Sequence, residues 1–399
     1  MTLPGDDRGH TGPTASTGRP GRATMSFVDP HLEPGQTRAV VPSTRPSPLP
    51  RALRPLSAEV PGAGRSRDLS RWLTETHTTS LLVLDAVAGT TGTVVAEWYA
   101  DGVTPASLLL GASMTKSVLA HLVGQAVGTG ALALEDRVVD HVPELAGTGW
   151  AACTVEHVIT MTTGTAWVED HRDPDGPAAR LTACFWGEGG SSRELLLGVR
   201  PSEAAGTRWA YSTADSQVLD WVRERATGRT WVEAAGDLWA TLGCVTEAVV
   251  AVDADGVALA GGGLAACAED WRRLAALQLT GRAGGAQVLP PGWVEAASTP
   301  TRPWLEPGRL PSTITTHAGF GHHWWPLEPG GRRVTSDGSR GQLGYVDRDL
   351  GVAVLKTSRW PYDDPWVDRQ MRDLSYLGLP LVATAASAAR HHPTHQEHP

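Results

Sequence analysis

The pattern of apolar and polar residues first becomes regular after residue 68. A short helical pattern at 69–75 is followed by two apolar stretches, 80–84 and 93–99, on either side of a Gly- and Thr-rich turn. Two such stretches around a turn are typical of a β-hairpin. Apolar residues then recur on one helical face over 118–127, and the glycines just after them end this pattern. The chain therefore begins its regular part with a helix, a hairpin and a long helix.

Farther along, the pattern favours helices and loops up to about residue 300. Thr154 is a candidate N-cap for a helix over 155–162, and a last helix is predicted over 365–377. Strand patterns return late, in four segments: 319–326, 332–336, 342–346 and 351–357. Strands at both ends with helices between them predict an α+β fold, in which a mainly helical region is inserted into an antiparallel sheet with flanking helices.

The two ends of the chain differ in composition from the middle. Residues 1–65 are rich in Pro, Arg, Ser and Gly, and we expect a disordered or loosely wrapped arm there. The His-rich tail at 386–399 is also expected to be disordered. Whether the protein starts at Met1 or at Met25 stays open. Between the ends we expect one domain over 66–385, with sheet parts at 66–116 and 319–385 and a helical part at 117–318.

Composition narrows the class of protein. Of the 399 residues, 41% are hydrophobic and 19% are charged, which is typical of a globular chain. The net charge of −9 comes without a basic stripe, which argues against a nucleic-acid partner. No apolar run approaches the roughly 20 residues that span a bilayer, so no membrane partner is expected either.

The cysteines and the N-terminus suggest a compartment. The four cysteines, at 153, 184, 244 and 267, form no CxxC pair, which favours reduced, buried thiols over a disulfide frame or a zinc site. The N-terminus lacks the basic-then-apolar pattern of a secretory signal. We therefore expect a cytoplasmic protein, whose oligomeric state the sequence leaves open.

Lysine usage points to a catalytic site. Lys and Arg together number 34, yet Lys116 and Lys356 are the only lysines. Arginine stays protonated, whereas a buried lysine can lose its proton and act as a base. Lys116 follows Ser113 by three residues, so on a helix the two side chains share a face and the amine can activate the hydroxyl. Chance alone gives such a pair in about one chain in nine, but this pair lies at a helix start just after the hairpin.

The segment around Ser113 also resembles a known family. Several motifs follow it, among them a Trp-x-Tyr-Ser box, a run of three glycines and a late Gly-x-x-Gly-Gln run. Their order resembles that found in class C β-lactamase-like, penicillin-recognising serine hydrolases. The resemblance is greatest to 6-aminohexanoate-dimer hydrolases and related esterases. The segments that carry the resemblance are Gly111–Ser117, Leu134–Val138, Val142–Leu145, Thr154–Gly164, Gly206–Thr213, Gly261–Asp270 and Gly338–Gln342. The resemblance covers roughly residues 70–380.

The resemblance implies a fold, a reaction and a site. The fold is β-lactamase/transpeptidase-like, and the reaction is acyl transfer to Ser113 followed by hydrolysis, with no metal or cofactor. Lys116 and Tyr211 complete the catalytic group. The backbone N–H groups of Ser113 and Ser339 form the oxyanion hole. The expected substrate is a small linear ester or amide.

The chain departs from the family at several positions that border the substrate. Thr213 stands where the box usually ends in Asn, and His171 stands where nylon-oligomer hydrolases place a Tyr that contacts the substrate. The cation of the usual Lys-Thr-Gly box is missing, and Arg340 is a candidate substitute. Lys356, although followed by Thr and Ser, lies on a later strand and is interpreted as unrelated to that box. Trp186 is one of several tryptophans that are candidates for the cleft wall.

Three alternatives remain open at this point. One is a true β-lactamase or D-alanyl peptidase, which the missing third box and missing signal disfavour. Another is a non-catalytic ligand sensor, which the intact Ser113, Lys116 and Tyr211 disfavour. The third is a transacylase that passes the same acyl group to an alcohol or an amine. Residue patterns alone do not separate ester from amide preference.

Overall fold

The computed structural model describes residues 26–32, 36–61, 66–86, 92–186, 189–311, 318–361 and 370–390. Strands in these ranges are β1 Arg38–Val41, β2 Thr78–Asp85, β3 Thr93–Tyr99, β4 Leu109–Leu110, β5 Ala248–Ala251, β6 Leu264–Ala266, β7 Arg282–Ala283, β8 Ala286–Gln287, β9 Trp325–Pro326, β10 Arg333–Gly338, β11 Gln342–Asp347 and β12 Val352–Ser358. Helices are α1 Leu69–Glu75, α2 Met114–Gly128, α3 Val138–His141, α4 Val155–Ile159, α5 Pro177–Ala183, α6 Ser192–Leu197, α7 Thr213–Thr227, α8 Trp231–Leu242, α9 Ala268–Thr280, α10 Trp293–Ser298 and α11 Gln370–Ala388.

The main sheet has six antiparallel strands in the order β3-β2-β12-β11-β10-β9. Every residue of β2 and of β12 is buried, because α9 covers one face of the sheet while α1 and α11 cover the other. Strands covered on both faces read as continuous apolar runs, as 81–84 does. The predicted α+β arrangement, an antiparallel sheet with flanking helices, is confirmed.

Helix α2 forms the centre of the helical region. It is buried almost all round, and α7 and α8 pack on it. A helix that is buried on nearly every side lies in the interior of a domain. Its first residue, Met114, meets the end of β10. The start of α2 therefore lies where the sheet and the helical region join.

Part of the N-terminal segment expected to be a disordered or loosely wrapped arm forms a strand of a second sheet. Its four strands run in the order β1-β5-β6-β4, and β1 pairs with β5 from Arg38 to Val41. Farther along, Ala52 N donates to Val94 O at 2.9 Å on the edge of β3. Much of the segment expected to be disordered or loosely wrapped is thus part of the fold, because apolar residues such as Val41 are fully buried there. Residues 1–25, 33–35 and 62–65 of the expected arm lie outside the described residues.

Several boundaries also differ from the sequence-based expectation. The helical part at 117–318 contains β5 to β8 as well as helices. Helix α11 continues to Ala388, past the expected domain end at 385, and within the predicted strand 319–326 only the last two residues are strand. The helix from Val155 ends at Ile159 because Met161 takes a left-handed backbone conformation, φ 54°. Most of the His-rich tail lies outside the described residues.

Two further findings concern the cysteines and the length of the apolar helices. All four cysteines are free thiols, and three of them are buried. Across the described ranges, no helix is both long enough and apolar enough to cross a lipid bilayer.

Candidate active site

Ser113 lies at a sharp turn between β4 and α2. It is the N-cap residue of α2, and the preceding Ala112 is left-handed with φ 45°. Gly111 is required at the start of this turn, since a Cβ there would lie 2.2 Å from the ring of Trp271. Lys116 follows one helical turn later, and its Nζ donates to Ser113 Oγ at 3.1 Å. The contact that the three-residue spacing predicts is therefore present.

Lys116 is held in a closed polar pocket. Its side chain is buried, with only 3% of the residue exposed. Besides Ser113, Nζ donates to the carbonyl of Gly261 at 2.6 Å and to Thr213 Oγ1 at 3.1 Å. Burial lowers the pKa of Lys116 to about 8, and the negative charge of Glu169 opposes that shift. Near neutral pH an appreciable fraction of the amine is therefore free to take a proton.

Tyr211 is the third member of this group. Its hydroxyl is hydrogen-bonded to Ser113, and Lys116 Nζ lies 5.0 Å from its ring centroid. The ring stacks on Trp325, with centroids 5.8 Å apart, and packs beside Trp209. Burial raises the pKa of the Tyr211 phenol far above its ordinary value, so the hydroxyl stays protonated and can donate.

A carboxylate that sequence analysis missed completes the polar network. Glu169 accepts hydrogen bonds through one oxygen from Thr213 N at 2.9 Å and Trp167 Nε1 at 2.6 Å. Its other oxygen accepts from Thr213 Oγ1 and lies 3.2 Å from His171 Nε2. The Thr213 hydroxyl thus joins Glu169 to Lys116.

Glu169 is held as an anion. Burial opposes its charge, but the hydrogen bond and charge of His171, the charge of Lys116 and the hydrogen bond from Thr213 outweigh burial and lower its pKa to about 2. The N-terminus of α7, where Thr213 N points at the carboxylate, favours a negative charge as well. No local sequence pattern marks this residue, since its partner Thr213 is 44 positions away.

Strand β10 ends against the nucleophile turn. A Cβ on Gly338 would lie 2.1 Å from Gly111 O and 3.1 Å from Met114 N, so only glycine fits. This close approach brings Ser339, the next residue, to the same turn as Ser113. The side-chain amide of Gln342 donates to Ser339 O at 3.3 Å and to Ser358 O at 2.7 Å, which ties this hairpin loop to β12.

The residues considered for substrate binding fall into two groups. His171, half-exposed, and Thr213 are both bonded to Glu169 and so belong to the network. Arg340 lies on the loop after Ser339, where its Nη1 donates to Trp360 O at 3.2 Å. Trp186 forms a bridge with Gln36 on the N-terminal segment, and no described contact places it beside Ser113.

The second lysine lies elsewhere. Lys356 is fully buried on β12, where Nζ donates to Ser358 Oγ at 2.6 Å. The rings of Trp72 and Trp360 lie 5.4 Å and 5.9 Å from this nitrogen. Its described partners belong to the packing of the sheet and not to the group around Ser113. Across the described ranges, no group of three or more His, Cys, Asp or Glu side chains is arranged to hold a metal ion.

Comparison with known proteins agrees with this geometry. The family model described as Beta-lactamase matches residues 78–377. A 6-aminohexanoate-dimer hydrolase from Paenarthrobacter ureafaciens is 30% identical over 311 residues, which cover 76% of this chain and 78% of the relative.

Solved structures show the same fold. A Bacillus anthracis protein described as a "putative 6-aminohexanoate-dimer hydrolase" superposes with a TM-score of 0.75 at 19% identity, covering 91% of this chain and 94% of that one. A class C β-lactamase superposes with a TM-score of 0.55 at 16% identity, covering 78% of this chain and 93% of that one.

Proposed function

The chain belongs to the β-lactamase family and is a serine hydrolase of amide or ester bonds, and from that premise we propose that it cleaves small linear substrates through an acyl-enzyme on Ser113. The observation that carries this assignment is the 3.1 Å contact between Ser113 Oγ and a buried Lys116 whose pKa lies near 8. A serine needs a base within hydrogen-bond reach, and the unprotonated fraction of this amine supplies one near neutral pH.

Acylation uses the three side chains in turn. The free amine of Lys116 takes the proton of Ser113 Oγ as that oxygen bonds to the substrate carbonyl carbon. The carbonyl electron pair moves to oxygen, and the backbone N–H groups of Ser113 and Ser339 stabilise the resulting anion. Tyr211 gives its proton to the departing amine or alcohol and recovers one from Lys116. The carbon–leaving-group bond breaks, and the acyl group remains on Ser113.

Deacylation repeats these steps with water as the nucleophile. The free amine of Lys116 takes a proton from water, as it did from Ser113, while the water oxygen bonds to the acyl carbon. Ser113 Oγ then leaves and is reprotonated, which releases the acid and restores the enzyme. Every proton moves between Ser113, Lys116, Tyr211 and solvent, so the residues present suffice for the chemistry.

The proposed substrate class rests on the residues at the solvent-exposed edge of the site. His171 is half-exposed and bonded to Glu169 through Nε2, so its ring can form a hydrogen bond with a substrate amide or ester beside the network. The Paenarthrobacter relative is named a 6-aminohexanoate-dimer hydrolase, and we infer linear substrates of about that size for this chain. Arg340 and the Trp186 side chain are retained as candidate contacts for the outer part of the substrate.

Location and partners are part of the same proposal. We infer a cytoplasmic enzyme, because four free cysteines suit a reducing compartment. The net charge of −9 disfavours nucleic acid as a partner. The partner we expect is therefore the small-molecule substrate.

The test compares Ser113→Ala with Ser70→Ala, which changes an exposed serine on α1. Both variants are incubated with a fluorophosphonate probe, p-nitrophenyl butyrate and a linear aminohexanoate dimer. Ser113→Ala should lose labelling and several orders of magnitude in kcat/KM, while Ser70→Ala should match the parent. Labelling or near-parental turnover in Ser113→Ala would overturn the assignment.

A further inference from the structure

The N-terminal segment 26–32 runs alongside the strand that leads to the nucleophile. Leu110 N donates to Phe27 O at 3.0 Å, and Asp29 N donates to Leu108 O at 2.6 Å. The Asp29 carboxylate also accepts from Leu108 N at 2.7 Å. These bonds fix the register of the segment against β4. The residues that follow β4 are Gly111, Ala112 and Ser113, so the segment borders the site itself.

The ring of Phe27 fills the space between two parts of the site. It belongs to an apolar cluster with Leu110 and Ala112, and only 8% of the residue is exposed. On another side, the guanidinium carbon of Arg340 lies 5.9 Å from the ring centroid. One side chain thus shares an apolar cluster with the residue before Ser113 and lies beside the guanidinium of the residue after Ser339.

Both of these contacted residues have a strained backbone. Ala112 has φ 45° and Arg340 has φ 60°, in the left-handed region that residues with a Cβ avoid. Such conformations persist only where surrounding contacts hold them, and they cluster at functional sites. Each strained residue is directly bonded to one of the two residues whose N–H groups we assign to the oxyanion hole. Phe27 therefore packs in the region of both residues that flank the assigned donors.

We propose that Phe27 is a positioning residue for the oxyanion hole, which keeps Ala112 and Arg340 left-handed so that the N–H groups of Ser113 and Ser339 converge. The proposal rests on the function assigned above. It gives the N-terminal segment a role in catalysis although Phe27 touches no reacting atom. A displaced donor loses most of its effect on the transition state while ground-state binding changes little.

The first test uses Phe27→Ala, with Leu32→Ala as a control on the same segment, since Leu32 is 74% exposed. Phe27→Ala should lower kcat about 10- to 100-fold and leave KM within about twofold. A boronic acid, which forms a tetrahedral anion on Ser113, should bind more weakly by a similar factor. Leu32→Ala should equal the parent in each assay. A change in KM with unchanged kcat would show that Phe27 only lines the substrate pocket, and it would overturn the proposal.

A second test separates backbone positioning from packing. Glycine adopts a left-handed conformation without the cost of a Cβ. Adding Ala112→Gly or Arg340→Gly to Phe27→Ala should therefore recover a large part of the lost kcat and boronate affinity. No recovery in either double variant would contradict the positioning role. If Phe27→Ala fails to fold, Phe27→Leu with the same two glycine changes provides the comparison.

Fluorophosphonate labelling keeps the two proposals distinguishable. If Ser113→Ala remains active, the function itself is wrong. If labelling depends on Ser113 while Phe27→Ala keeps the parental kcat, only the positioning role fails.

Discussion

At the scale of single residues, the surroundings decide what each of the two lysines can do. Burial lowers the pKa of Lys116 to about 8 and that of Lys356 to about 7. Lys356 meets Ser358 between two tryptophan rings, whereas Lys116 meets Ser113 and lies beside Tyr211. We assign different roles to these two amines of similar basicity, because the serine beside Lys116 is partly exposed and bonded to Tyr211, whereas Ser358 beside Lys356 is fully buried.

Replacement of Lys116 by arginine tests whether the amine acts as a base or only as a charge. Arginine keeps the charge and cannot give up its proton at ordinary pH. We expect Lys116→Arg to lose nearly as much kcat/KM as Lys116→Ala, by several orders of magnitude. Both are measured on p-nitrophenyl butyrate. Substantial activity in Lys116→Arg alone would mean that the residue only supplies a positive charge.

Glu169 is expected to set the pH at which that base works. Its negative charge raises the pKa of Lys116, in opposition to burial. Activity falls as pH falls through the lysine pKa, because the amine becomes protonated. Glu169→Gln removes the charge and lowers that pKa, so the acid limb of kcat/KM should move to lower pH. The measurement is the pH dependence of kcat/KM on a neutral ester.

A neighbouring acid provides the matched control for Glu169. Asp170 is paired with Arg172 at the surface, with 2.9 Å between Oδ1 and Nε. Asp170→Asn should leave the acid limb where it is in the parent. If the acid limb of kcat/KM in Glu169→Gln stays in place or moves to higher pH, Glu169 is not coupled to Lys116 as proposed.

At the scale of elements, β10 must approach the start of α2 without a side chain between them. The strand and the helix are far apart in the sequence, and Gly338 is the point of contact between them. The late strand patterns predict that β10, β11 and β12 pair with the early hairpin. They do not indicate which residue makes the closest contact, because that depends on how the helix rests on the sheet.

Gly338→Ala is expected to separate the strand from the helix. The added Cβ would lie 2.1 Å from Gly111 O, so β10 must shift and carry Ser339 with it. We expect a loss of about 100-fold or more in kcat/KM. Overpacking should also cost about 1–3 kcal/mol of unfolding free energy, measured by denaturant titration.

Gly330→Ala serves as the control for crowding, since its nearest heavy atom is 3.9 Å away, on Arg332. This variant should keep parental activity and stability. Parental kcat/KM in Gly338→Ala would show that the end of β10 does not shape the site.

At the scale of the whole molecule, charged residues from elements far apart in the sequence set the electrostatic potential around Ser113. Asp337 on β10 accepts a hydrogen bond from Tyr376 OH of α11 at 2.6 Å. Burial raises the pKa of Asp337 to about 6, so it is mostly ionised above that pH. Glu169 and Asp337 both act on Tyr211, whose pKa their charges raise further. The site is thus bordered by negative charge beside Tyr211, which disfavours a carboxylate close to the scissile carbonyl. The carboxylate of a linear aminohexanoate dimer lies at the far end of an alkyl chain, away from this charge.

This field predicts a preference for neutral esters over β-lactams. At pH 7.5, kcat/KM on p-nitrophenyl butyrate should exceed that on nitrocefin, whose carboxylate is repelled. Asp337→Asn keeps a partner for Tyr376 and should raise the nitrocefin value relative to the ester value. Nitrocefin hydrolysis more efficient than ester hydrolysis in the parent chain would instead favour a β-lactamase.

The sequence by itself determined the local features of this protein. The hairpin at 80–99 and the pairing of Ser113 with Lys116 depend on neighbours within a few residues, where strand alternation and helical spacing apply directly. The order of the motifs was enough to indicate the family and the placement of Tyr211, since their order and identities can be read from the sequence alone.

Only the tertiary structure decided how distant segments meet. Glu169 reaches Thr213 across 44 positions, and β1 pairs with a strand some 200 residues later. Phe27 shares a cluster with Ala112 and lies beside Arg340. No periodicity marks such contacts, because they depend on the packing of elements that each fold locally. The left-handed conformations beside Ser113 and Ser339 belong to the same class, since non-glycine residues adopt them only when the surrounding structure holds them there.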